Sequence, residues 1–63
     1  MEYTEITRNA FASIVKDEGD SYDYELKYEL ATKTFFKAEG MQLLTVFNFI
    51  SRATQYYLLD INA

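Results

Sequence analysis

Ser21-Tyr22-Asp23-Tyr24-Glu25-Leu26-Lys27-Tyr28-Glu29-Leu30 alternates without a break. Apolar or aromatic side chains stand at 22, 24, 26, 28 and 30, and charged ones at 23, 25, 27 and 29. Successive side chains of a strand point to opposite faces, so this period of two predicts a strand with one apolar and one charged face. A helix would gain the pairs Asp23–Lys27 and Glu29–Lys33. It would also scatter Tyr22, Leu26 and Leu30 away from Tyr24 and Tyr28, and the alternation decides for the strand. The apolar face then needs a partner layer, and the charged face needs water or a basic partner.

Downstream, Ala31-Thr32-Lys33-Thr34-Phe35-Phe36-Lys37 has the β-branched and aromatic content of a strand. It either prolongs the first as one long bent strand or folds back as another. No Gly, Pro, Asn or Asp lies between Leu30 and Phe35 to make a tight reversal. Lys16-Asp17-Glu18-Gly19 and Lys37-Ala38-Glu39-Gly40 echo each other and read as turns ending in a left-handed glycine. Upstream, Thr4 to Lys16 fits a helix with Tyr3, Ile6, Ala10 and Ile14 on one side. It also fits a strand over Phe11 to Lys16 entering a hairpin loop at Asp17–Asp20. Asp17 and Glu18 would oppose the dipole at a helix C-terminus, which favours the hairpin.

Residues 41–60 settle the remaining architecture. Gln42, Thr45, Asn48, Arg52 and Gln55 follow at intervals of 3, 3, 4 and 3, the polar stripe of a helix. Leu43, Val46, Phe47, Ile50, Ala53, Tyr57, Leu58 and Ile61 lie opposite, while Phe49, Tyr56 and Leu59 fall outside that apolar arc. The competing division, strands over 41–50 and 54–61 in an all-β meander, lacks Gly, Pro or Asn around Ser51-Arg52-Ala53. The expected fold is therefore α+β: a small antiparallel sheet of two or three strands packed against one C-terminal helix. Tyr22, Tyr24, Leu26, Tyr28 and Leu30 would meet Leu43, Phe47, Ile50 and Tyr57. On that packing Phe47→Ala should cost about 3–5 kcal/mol.

The 63 residues make a single small domain, 1–63. A chain this short buries only about 60% of its unfolded surface. It holds neither Cys nor His, which rules out disulfides, zinc sites built from those residues, and the commonest general base. Only Gly19 and Gly40 occur, so there is no Gly-rich phosphate loop, and Gly19 breaks a calcium-loop pattern starting at Asp17. The expectation is a non-catalytic chain without metal or cofactor. Its polar, acidic start and its lack of a long apolar run point to the cytoplasm, away from membranes.

Ten acids against six bases leave a net charge of −4, which disfavours direct nucleic-acid binding. Asp17, Glu18, Asp20, Asp23, Glu25 and Glu29 cluster against a single base, Lys27. A solvated strand face explains such a row plainly. Its functional reading is a surface that docks on a larger protein with a basic surface. Phe49, Tyr56 and Leu59, with Tyr3 near the start, are the aromatic and apolar candidates for burial against that partner or in a homodimer. The expected function is protein binding by a small acidic inhibitor. The alternatives are a structural or regulatory homo-oligomer and, third, a stacking binder of single-stranded nucleic acid. In size and charge alone the chain is similar to small phage-encoded antagonists of host proteins, such as anti-CRISPR or anti-restriction inhibitors. That likeness implies a bacterial host's cytoplasm and carries no residue across.

Overall fold

The computed structural model describes residues 2–60. It holds β1 (Glu2–Ile6), α1 (Arg8–Ile14), the single turn α2 (Glu18–Ser21), β2 (Tyr22–Lys27), β3 (Ala31–Ala38), β4 (Met41–Asn48) and β5 (Thr54–Asp60). The strands form one antiparallel sheet in the order β1-β5-β4-β3-β2. The chain leaves β1 at one edge, crosses through the two helices to the far edge, and meanders back until β5 pairs with β1.

This corrects the expected fold. The sheet has five strands, and no helix occupies residues 41–60. Two strands divide that stretch, close to the competing division at 41–50 and 54–61; residue 61 lies outside the described residues. The supposed polar stripe is dispersed. Thr45 pairs with Tyr56 on one face, Gln42 with Leu59 on the other, and Asn48 and Arg52 lie at the reversal. Asn48, upstream of Ser51-Arg52-Ala53, makes that reversal. The Asn48 side-chain oxygen accepts from the N–H groups of Ile50 (2.9 Å) and Ser51 (3.1 Å). The Arg52 N–H donates to the Asn48 carbonyl at 2.7 Å, with Arg52 left-handed at φ 59°. Asparagine that bonds its own following backbone is a turn former in its own right.

β2 and β3 are separate strands, although Glu29-Leu30 offers no turn-favouring residue. The Tyr28 N–H donates to the Ala31 carbonyl at 2.8 Å and closes the reversal. The two echoing tetrapeptides differ. Glu39 (φ 53°) and Gly40 (φ 76°) are both left-handed and make a two-residue hairpin between β3 and β4, as such turns require. Gly19 sits instead inside α2. Phe11 to Lys16 is no strand. Arg8–Ile14 is helical because the Thr7 hydroxyl caps the first turn, accepting from the Ala10 N–H at 3.1 Å. Ala10, Phe11, Ile14 and Val15 then turn inward at helical spacing.

The core forms where α1 lies on the sheet. Phe11, Val15, Phe36 and Leu43 are buried together, with Ile6, Ile14, Met41, Tyr56 and Leu58 around them. Phe11 meets Phe36 edge-on at 5.3 Å and Tyr56 at 5.0 Å between ring centroids. Among the described residues no helix lies on the opposite face, yet Phe35, Leu44 and Leu59 on it are buried. The Tyr24 ring stacks on Phe35 at 4.4 Å. Burial, and then the nearby Tyr24 phenol, hold the Tyr3 pKa above its ordinary value. Tyr3 and Tyr24 share this face from the two opposite edge strands, and the burial of Phe35, Leu44 and Leu59 without a helix over them follows from a face that curls upon itself as twisted sheets do.

The expected apolar face of β2 does not exist as one face. A bulge between Tyr22 and Tyr24 shifts the register: Tyr22 pairs with Phe36 and Tyr24 with Phe35. Tyr22 therefore stands on the helix side, and Tyr24 and Leu26 on the other. All of β2 is exposed, as are Leu30, Phe47 and Ile50.

Candidate functional site

α1 covers only part of its face. Beside it, register places Glu25, Thr34, Thr45 and Tyr56 side by side across β2, β3, β4 and β5. Thr54 follows from β5, opposite Phe47 of β4. These threonines floor a groove of about 440 Å³, walled by Phe11, Phe36, Tyr22 and Tyr56, with the carboxylates of Glu18 and Glu25 at its lining. β3, β4 and β5 each contribute one threonine, a short β-branched hydroxyl residue where the apolar pattern lapses. The result is an open depression of mixed polar and aromatic lining beside the helix.

Two separated stretches supply the acids. Glu18 lies in the first turn of α2, which Asp17 caps by accepting from the Gly19 N–H at 3.0 Å. Glu25 comes from β2, with the exposed Lys27 ammonium 3.7 Å away. That pair spans two positions of one strand face and leaves Lys27 free in solvent. Exposed pairs of this kind stabilise by less than about 1 kcal/mol. A cation entering the groove would therefore meet little competition for Glu25.

Of the residues expected from sequence, Glu18, Glu25 and Tyr56 line this groove together. Asp17 serves as a helix cap. Asp23 does not share the face of Glu25: it lies at the bulge, 3.7 Å from Lys37. Asp20 is exposed on α2, and Glu29 is exposed in the β2–β3 reversal. The acids thus form no straight row. Phe49, Tyr56 and Leu59 do not form one patch either. Tyr56 packs on Phe11 at the helix face, Leu59 is buried in the opposite face, and Phe49 is exposed in the β4–β5 turn. Grouping them presupposed a helix.

Thr34, Thr45 and Thr54 escaped the sequence reading. Threonine is common in strands, and only the register shows that these three are neighbours. A second missed feature is the apolar tip. The Phe49 N–H donates to the Leu30 carbonyl at 3.0 Å, which places the two reversals side by side. Leu30, Phe47, Phe49 and Ile50 are exposed there, Ile50 at 75%. Phe47 and Phe49 meet edge-on at 5.5 Å.

Among the described residues no three Asp or Glu side chains converge as a metal would need. Among them too, no helix is long and apolar enough to cross a membrane. Comparison with known protein families, curated proteins and solved structures finds no match.

Proposed function

We propose that this chain is a non-catalytic protein-binding module whose groove accepts a basic side chain from a larger protein. It would thereby occupy a basic or nucleic-acid-binding surface of that partner. The observation that carries this reading is the convergence of Glu18 and Glu25 over a floor of threonine hydroxyls beside the aromatic walls of Tyr22 and Tyr56. Carboxylates offer charge-assisted acceptors to a guanidinium or ammonium, and the aromatic faces suit the same cation. The net charge of −4 adds attraction at long range. In size and charge the arrangement is in keeping with small phage-encoded antagonists of host nucleic-acid enzymes, by analogy only.

The test is affinity capture from a bacterial lysate at rising salt, comparing the parent with Glu18→Lys. A nucleic-acid enzyme that binds the parent, elutes as salt rises and is lost by the variant supports the reading. Equal capture by the two proteins, with unchanged salt dependence, would sink it. Circular dichroism of the variant separates lost binding from lost folding.

A further inference from the structure

The far edge of the sheet is as notable as its groove. In an antiparallel ladder, hydrogen-bonded and non-hydrogen-bonded pairs alternate. The Tyr28 N–H donates to Ala31 of β3, so the backbone groups of Leu26 and Tyr24 also turn toward β3 in this register. Those of Glu25 and Lys27 therefore point outward, away from the sheet. Unpaired strand edges are templates for a further strand.

We propose that β2 pairs with the β2 of a second copy of this chain, antiparallel and centred on Leu26, joining two five-stranded sheets into one. Glu25 of each copy then faces Lys27 of the other, and the outward backbone groups of both residues form four hydrogen bonds. The facing residues form opposite-charge pairs twice over on the groove side of the sheet. On the other side Leu26 meets Leu26, and Tyr24 meets Tyr28. All three are exposed in the single chain, Leu26 at 41%.

The neighbouring registers are worse. Centring on Glu25 sets that carboxylate against its own copy and carries the ladder into the bulge at Asp23. Centring on Lys27 sets two ammonium groups opposite each other. Like charges directly opposite destabilise a ladder. The other edge, β1, carries Glu2 and Glu5 with no base, so it cannot neutralise itself. Charge and hydrogen-bond phase thus select one edge and one register. Glu25 is common to the pairing and the groove, but Lys27 does not line the groove and Glu18 does not lie on β2, so Lys27→Glu and Glu18→Lys test the two readings separately.

Sedimentation equilibrium over a wide concentration range reads the mass against 7.4 kDa for one chain. The parent should dimerise. Lys27→Glu, which faces each Glu25 with a second carboxylate, should weaken the dimer about tenfold or more. Adding Glu25→Lys to that variant exchanges the two charges, restores opposite pairs and should recover the dimer. Lys27→Gln is the milder variant if the reversal disturbs folding, and circular dichroism checks each one. A parent that stays monomeric throughout overturns the proposal. So does a dimer indifferent to Lys27→Glu, or one not recovered by the exchange. Dissociation by Ile50→Ser with the Lys27→Glu dimer intact would assign association to the apolar tip instead.

Discussion

β2 and β4 invert the usual relation between pattern and burial. β2 has the cleanest alternation in the chain, yet every one of its residues is exposed. β4 has no alternation, and its Leu43-Leu44 step is buried on both faces. The difference is position. β4 lies at the centre of the sheet, with α1 on one side and the curled aromatic face on the other. A strand covered on both faces reads as a continuous apolar run. β2 lies at an edge, away from α1, and among the described residues no element covers its apolar side chains. Alternation describes what a strand can bury. Placement in the sheet decides what it does bury.

The largest expected effect tests that contrast directly. Leu43, at 0% exposure, should lose about 3–5 kcal/mol on Leu43→Ala. So small a domain rarely has more to lose. Leu26→Ala on the edge strand should cost less than about 1 kcal/mol when measured below the concentration at which chains pair. Urea titrations of both variants would break the comparison if the two losses were equal.

The next test moves along the central strands from core to tip. Phe36→Ala removes a buried ring held by Phe11 and Tyr22, and should cost about 3–5 kcal/mol. Phe47 is 37% exposed and touches Phe49 near the tip. Phe47→Ala should therefore cost well under half of that, against the sequence-based expectation. Equal midpoint shifts in denaturant would return Phe47 to the core.

Gly40 sharpens the account of the hairpin joining β3 to β4. Space is open around it, but its φ is +76°, where a side chain is strained. Gly40→Ala should cost about 1 kcal/mol through the backbone alone, and Gly40→Asn less. A neutral Gly40→Ala in thermal melts would show that the turn relaxes.

The smallest effect concerns the other edge. The Tyr3 phenol titrates above its ordinary range, through burial and the nearby Tyr24. An unfolded chain would lose this proton first. The resulting preference for the native state is whole below about pH 10 and is lost as pH rises through the folded value. Tyr3→Phe should therefore lessen the alkaline loss of stability and remove one phenolate absorbance change from above the ordinary range. An unaltered ultraviolet titration would separate the two edges and flatten the curled face.

The fold was legible in part at 21–30 and 31–37, where alternation in the first and composition in the second mark β2 and β3, although the sequence left one long bent strand as open as two. It was not legible at 41–60, where two apolar strands happen to carry polar residues at near-helical intervals. A strand buried on both faces hides its period, and a reversal built on Asn48 has no Gly or Pro to mark it. Within the candidate site, Glu18, Glu25 and Tyr56 were singled out, but on grounds of an acidic row and a helical face that do not exist. Their meeting depends on register across strands far apart in the chain, and on a bulge that sends Asp23 away to Lys37.

Sequence by itself determined the chemistry at hand: an acidic, aromatic-rich domain without thiols or imidazoles, with β2 a strand and Gly40 at a turn position that suits it. Those properties are local, carried by one residue and its immediate neighbours. Tertiary structure alone decided which strand is central and which is an edge, which carboxylates share a groove, and which backbone groups are left for a second chain. These depend on pairing between distant segments, where a shift of one residue exchanges the two faces of a strand.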